Sequence, residues 1–245
     1  MITLDDFVML GKTVPEPNSD GRVFVCSAGV SATMRGLIRV YPLARYGAPK
    51  RWSVNTVALE RNPKDSRPES FRLAGDRAAG AHDDINATIQ TGDDYPKQGR
   101  AELLKPYQVD SIKEANARRL SLAVLHPDAL ELTFDYNPDS PDSPQLALFD
   151  LEPRPTQGAK RFAYIPRLRF SDSLGDHHLM LRDWGCYEFM RKNGDHRRGD
   201  LATGLHLDGA SLLIGNFNQH RTSWLVISVL RGLRPEPSLF DDPVT

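Results

Sequence analysis

At 245 residues the chain has the length of one large domain or two small ones, and either buries a real core. Its longest apolar runs, such as Trp224 to Leu230, stop far short of the ~20 residues that cross a bilayer, which excludes a membrane helix. The net charge of -1 conceals an uneven distribution: residues 21 to 59 carry basic side chains and no acidic one, whereas residues 74 to 150 hold twice as many acidic as basic residues, an asymmetry that permits an anionic ligand.

The N-terminus, Met1 to Leu10, carries Asp5 and Asp6 where a secretory leader carries basic residues, so the expected location is the cytoplasm. Arg22 to Ser31 and Gly36 to Ala44 read as a hairpin of two strands rich in Val, Ile and Phe, continued by Trp52 to Leu59. Asn62 to Ser70, with two prolines and short polar residues, reads as a structured loop. A short helix is expected near Asp83 to Ile89, and a second over Ser111 to Leu120 with Asp110 as its cap. Leu122 to His126, Leu130 to Tyr136 and Phe162 to Phe170 read as strands. His178 to Lys192 reads as a short strand leading into a helix near Asp183 to Arg191, and Ser211 to Phe217 with Ser223 to Arg231 as a closing hairpin. Cys26 and Cys186 lie far apart inside these segments and suit two buried thiols better than a disulfide or a metal site.

Strands that follow one another directly predict a β-rich α+β fold, an antiparallel sheet or partly open barrel with a few short helices. The expected divisions are a β-rich domain over residues 1–136, a proline- and acid-rich linker over 137–160, a part over 161–234 that stands alone or completes the same fold, and an acidic tail over 235–245. Within the linker the apolar string Gln145-Leu146-Ala147-Leu148-Phe149 has too little company to pack locally. It resembles the pentapeptide with which bacterial polymerases and repair proteins dock on the sliding clamp. That resemblance implies that Gln145 enters the polar end of a groove, Leu146 packs beside it, and Leu148 and Phe149 anchor in the apolar pocket. The alternative is an edge strand tucked onto the chain's own surface.

Arg39-Val40-Tyr41-Pro42, Arg61-Asn62-Pro63-Lys64-Asp65-Ser66-Arg67-Pro68-Glu69-Ser70, Ser121 to Pro127, Asp183-Trp184, and Gly215-Asn216 with His220 and Ser223-Trp224 form a pattern. It resembles an uncharacterised family of prokaryotic cytoplasmic proteins, a resemblance that implies one cooperative unit and no particular chemistry.

Three readings of function follow. Guanidinium and ammonium groups at Arg35, Arg39, Arg45, Arg51, Arg61, Lys64 and Arg67, interleaved with Tyr41 and Trp52, are the ingredients of a surface that neutralises phosphates and stacks bases. The expectation is an accessory nucleic-acid-binding protein of DNA metabolism, in replication, repair or a mobile-element or defence setting, with DNA or RNA and the sliding clamp as partners and no cofactor. The competing reading of the arginines is a solvated sheet face paired with the acidic middle segment, with Arg67 held against Asp65 or Glu69 for structure alone. The rival from another class is a metal-dependent phosphodiesterase or nuclease. It rests on Asp176-His177-His178, which resembles the signature of the Asp-His-His phosphoesterases, although adjacent histidines on a strand point to opposite faces. The third reading is a structural subunit of a larger assembly. Asp183 would orient His220 or His178 as a base, or satisfy a local donor for structure.

Overall fold

The computed structural model describes residues 1–17, 22–44, 48–75, 86–137, 140 and 158–233. The first sheet is built from β1 (Ile2–Lys12), β2 (Glu16–Pro17), β3 (Val23–Ser31), β4 (Gly36–Ala44), β5 (Ser53–Arg61), β6 (Ser70–Leu73) and β7 (Gln90–Asp94). Its order is β1-β3-β4-β6-β5, and β5 pairs with β1 again, so five strands close into a barrel. β4 and β6 run parallel, while the other pairs are antiparallel. Numbered within the barrel alone, the strands run one-two-three-five-four-one with a parallel third and fifth, the Greek-key circuit of OB-type barrels. Closure depends on register shifts in β1 between Leu4 and Phe7 and between Met9 and Gly11, because a bulge sharpens the local twist and re-aims the strand. Phe7, Met9, Ile38, Val40, Val57 and Phe71 are among the side chains that fill the interior.

The remaining elements are α1 (Arg100–Leu104), β8 (Gln108–Val109), α2 (Ile112–Ala117), β9 (Leu122–Leu125), β10 (Ala129–Tyr136), β11 (Tyr164–Asp172), β12 (Gly175–Met180), α3 (Trp184–Asn193), α4 (Arg198–Gly204), β13 (Ser211–Asn216) and β14 (Trp224–Leu230). They form a four-stranded sheet, β14-β13-β9-β8, and a three-stranded one, β10-β11-β12. β9 pairs antiparallel with β13, so hydrogen bonds of one sheet join residues on either side of the proline-rich stretch.

The four-stranded sheet is the middle layer, apolar on both faces. Leu122, Val124, Leu213, Ile227 and Leu230 pack on the outside of the barrel, against Val8, Leu10, Ala28, Val30 and Leu37. Ala123, Leu125, Leu212, Ile214 and Val226 face the opposite way, toward Ile112, Tyr187 and Met190 of the helices and Leu168 and Phe170 of β11. Burial on two faces explains the near-continuous apolar runs of β9, β13 and β14. The contact with the barrel is close: a Cβ at Gly11 would lie 2.5 Å from the Ser228 Cβ, and one at Gly215 would lie 3.2 Å from the Arg39 Nη2.

Most expected strands form within one or two residues of their expected bounds, but several details differ. The cap of α2 is Ser111, not Asp110; its hydroxyl accepts from the Glu114 amide at 3.0 Å, and the Glu114 carboxylate accepts from the Asp110 amide at 2.8 Å. This is a close relative of the reciprocal capping box, which ties both ends of the first turn. Around the expected helix at 83–89, residues 83–85 lie outside the described residues and Asn86 to Ile89 form a turn. β12 begins at Gly175, three residues before the strand expected from His178, and β1, β6 and β7 were not expected as strands at all. Among the described residues no helix is long and apolar enough to cross a membrane.

Candidate nucleic-acid interface

In OB-type barrels the usual ligand surface is the outer face of the second and third strands with the loops beside them. Those strands here are β3 and β4, and much of their outer face is covered by the chain's own middle sheet. The loop after β1 is held as well. Thr13 bridges to Asp183, the Val14 amide donates to the Arg182 carbonyl at 2.7 Å, and Glu16 pairs with Arg182.

The basic set is divided by this packing. Arg39, 5 % exposed, points from β4 into the junction, where its Nη2 donates to the Ser121 carbonyl at 3.0 Å. Arg51 spans to the middle sheet, donating to the Val229 carbonyl at 2.9 Å and to Asp183 at 2.5 Å. Trp52 is buried with the Arg100 guanidinium over its ring at 4.4 Å. Arg67 is buried and clasps Asp65 through Nε at 2.8 Å and through Nη2, while its Nη1 donates to the Asn216 carbonyl at 2.5 Å. The guanidinium of Arg61 binds the Pro68 and Arg67 carbonyls and lies 5.1 Å over the Phe71 ring. Tyr41 is half-buried with its ring edge-on to Phe24 at 6.5 Å. Arg35, in the β3–β4 turn, and Lys64 are exposed. Arg45 lies outside the described residues, as do Gln145, Leu146, Leu148 and Phe149.

The buried arginines organise one end of the molecule. Asp65 is the anchor of the loop between β5 and β6, accepting from Arg67 and from the Ser70 hydroxyl at 2.8 Å. Burial alone would raise the Asp65 pKa, but these hydrogen bonds outweigh it and hold the carboxyl down to about 2. Asn216, 3 % exposed at the end of β13, joins three loops. Its side-chain amide donates to the Leu120 carbonyl at 3.2 Å and to the Arg221 carbonyl at 2.7 Å, its backbone amide donates to Ser121, and its carbonyl takes Arg67. Two further contacts close the group: Asn218 donates to the Lys64 carbonyl at 3.3 Å, and the Arg221 guanidinium donates to the Ser66 hydroxyl at 3.1 Å. Residues 62–69, 117–120 and 217–223 therefore meet at one end of the junction between barrel and middle sheet.

Their outer surface is cationic. Lys64, Arg119 and Arg221 are exposed, and Phe217 leaves 44 % of its surface to solvent. Of the neighbouring acids, Asp65 is engaged by Arg67 and Glu114 by Arg118 at 2.9 Å, whereas the Glu69 Oε1 is buried without a hydrogen-bond partner among the described residues. Sequence reasoning missed Arg119, Phe217 and Arg221, which come from loops far from the barrel in the chain. The available signal was Gly215-Asn216 with His220, whose small glycine and polar amide sit at the point of closest approach.

The Asp176-His177-His178 triplet does not converge. His177 Nε2 lies 2.7 Å from Asp172, His178 Nε2 lies 2.9 Å from the Thr133 hydroxyl, and Asp176 accepts from the Ser171 hydroxyl at 2.6 Å. Asp172 also takes the Ile112 and Leu174 amides; these bonds outweigh the burial that would raise its pKa and keep it below the usual carboxylate range. Among the described residues no three His, Cys, Asp or Glu side chains are placed to hold a metal ion. Asp183 touches neither His220 nor His178. It caps α3 through the Gly185 amide at 2.8 Å and accepts from Ser228 at 2.7 Å and from Arg51. Of the cysteines, Cys186 is buried and Cys26 is half-buried, with the Arg39 Nη1 at 3.7 Å from its sulfur.

Residues 4–106, which take in the barrel, β7 and α1, match the family model of a domain of unknown function, DUF8758. None of the curated proteins compared matches the chain.

Proposed function

We propose that the chain works in the cytoplasm as an accessory nucleic-acid-binding protein of DNA metabolism, in replication, repair or a mobile-element or defence setting, and that it holds single-stranded nucleic acid on the surface of residues 62–69, 117–120 and 217–223. The observation that carries this reading is the gathering of the three loops by Asn216, which brings the segments that carry exposed Lys64, Arg119, Arg221 and Phe217 to one end of the molecule. Such a surface neutralises a phosphate backbone with cations and stacks a base on the ring, the combination single strands require. Arg35 and Arg61 extend the positive surface at the same end of the barrel. Arg39 and Arg67 contribute by fixing the loops rather than by touching the ligand, and Arg51 holds Asp183 and the Val229 carbonyl instead.

Fluorescence anisotropy with labelled single-stranded DNA, single-stranded RNA and duplex DNA across a salt series tests it. Single strands are expected to bind with log K falling against log salt by about 0.7 for each phosphate neutralised. The Lys64→Ala/Arg119→Ala/Arg221→Ala variant should flatten that slope by about 2. Phe217→Ala should weaken binding by about 1–3 kcal/mol with the slope kept. Binding that is absent at low salt, or indifferent to these changes, would end the proposal.

The same reading assigns clamp docking to Gln145, Leu146, Leu148 and Phe149. What supports it is the base of the excursion: the Asn137 amide donates to the Ala163 carbonyl at 2.8 Å and the Asn137 side chain to the Phe162 carbonyl at 3.1 Å, so the chain leaves and returns at one place, at the end of the β10–β11 hairpin. Surface plasmon resonance against a purified bacterial sliding clamp should show binding that Leu148→Ala/Phe149→Ala removes; a clamp that the unaltered chain does not bind rejects this assignment.

A further inference from the structure

Sheet edges that face solvent are ordinarily defended by a bulge, a proline, a lysine or a very short strand. β7 is defended: it is exposed throughout, carries Gly92, Asp93 and Asp94, and its pairing with β5 is interrupted by a register shift. The outer edge of β14 is capped where Leu181 bridges to Val226 and the Arg182 amide donates to the Val226 carbonyl at 2.8 Å. β8 and β2 are two residues long. β10 has none of these devices. It pairs with β11 through eight consecutive positions, Ala129 to Tyr136, without a bulge, contains neither Pro nor Lys, and has no strand on its other side among the described residues.

The direction of its free backbone groups follows from the register. The Asn137 amide bonds to Ala163, in phase with the pairing of Tyr136 with Tyr164, so odd-numbered residues of β10 exchange hydrogen bonds with β11. The N–H and C=O groups of Leu130, Leu132 and Phe134 therefore point outward. Their side chains lie on the core face, only half-buried at the margin of the helix-side core.

We infer that β10 is a self-association edge, through which two copies of this chain pair antiparallel about a two-fold axis at Leu132. In that register Leu130 of one copy lies opposite Phe134 of the other, Leu132 lies opposite itself, and all their outward groups are bonded. Glu131 lies opposite Thr133, so no like charges face each other. Moving the axis to Thr133 would put Glu131 opposite Asp135, which like-charge repulsion disfavours. Charge therefore favours the Leu132 axis over the Thr133 axis, and a second copy is the occupant that fits both the row of half-covered apolar side chains and the acid. An interface built on one strand edge is small and its dimer weak.

The test is sedimentation equilibrium of the full chain over a range of concentrations, with circular dichroism as a check that each variant folds. Both positions are on the solvent face: Glu131 is exposed and touches Arg169 at 3.4 Å, and the Thr133 hydroxyl meets His178. Thr133→Lys places a lysine opposite Glu131 twice in the dimer and is expected to tighten it about fivefold. Glu131→Lys/Thr133→Lys places lysine opposite lysine twice and is expected to loosen it by at least as much. A wild-type chain that stays monomeric at every concentration, or a dimer whose constant moves the same way in both variants or in neither, overturns the inference.

Discussion

Replacing Asp183 with alanine is expected to destabilise the chain by about 3 kcal/mol, the cost of leaving two half-buried cations without the buried carboxylate between them. Asp183 is 3 % exposed and sits where the barrel, the middle sheet and α3 meet. Arg51 reaches it across the layers and also holds the Val229 carbonyl. The Lys12 ammonium lies close by, its pKa lowered first by burial and then by Arg51, with Asp183 opposing both, and its only hydrogen bond among the described residues is to the Ala48 carbonyl at 3.2 Å. Without the carboxylate, two cations share a half-buried space and α3 loses its cap, a loss of about 1 kcal/mol by itself. Asp183→Asn keeps the oxygen that caps α3 but turns the one that accepts from Arg51 and Ser228 into an amide donor, so its cost should fall between those of wild type and alanine. Urea denaturation at pH 7 measures all three; an alanine variant within about 1 kcal/mol of wild type would show that the cluster does not hold the layers together.

The second large effect is expected from Arg67→Ala: about 3 kcal/mol of stability at neutral pH and at least a tenfold loss of affinity for single strands. Arg67 links the β5–β6 loop to Asn216 and neutralises a carboxylate that is itself almost fully buried. Its pH dependence identifies the cause. The Asp65 pKa is depressed to about 2 in the folded chain. A depressed carboxylate contributes stability that is complete above its ordinary value, near 3.8, and is lost as pH falls toward about 2. The gap between wild type and variant should therefore be full at pH 7 and shrink as pH falls from about 4 to about 2. A gap that stays constant through that window would mean that lost packing, not the ion pair, accounts for the change.

Strands whose two faces differ, or whose faces are both apolar, were legible in the sequence: β3, β4, β5, β10, β11, β13 and β14 stand within one or two residues of their expected bounds. β1 was not, because Asp5 and Asp6 break its apolar alternation and its bulges carry the register from one neighbour to the next. β7 and β12 were hidden for a different reason. Gln90 to Asp94 and Gly175 to His178 are polar residues that lie in a sheet only because β5 and β11 offer them a free edge. Of the basic residues expected to form one surface, Arg35 and Lys64 are exposed while Arg39 and Arg67 are buried. Composition identifies Arg39, Arg51 and Arg67 as cations, but whether a guanidinium reaches solvent or a carbonyl on another layer depends on contacts between residues more than a hundred positions apart, such as Arg67 with Asn216 and Arg51 with Asp183. Phe217, Arg119 and Arg221 became visible as one surface only when Asn216 was seen to join their loops.

The middle sheet that covers the barrel also sets a problem of timing. A ribosome delivers the five barrel strands before residue 75 but β13 and β14 only after residue 210. During that interval Val8, Leu10, Ala28, Val30 and Leu37 form an apolar face on a barrel that is otherwise complete, awaiting Leu213, Ile227 and Leu230. Exposed surface of this kind draws a nascent chain toward aggregation or into the hands of a chaperone. The cover that closes the barrel's outer face in the finished molecule thus makes β13 and β14 the strands on which the solubility of the first seventy or so residues depends.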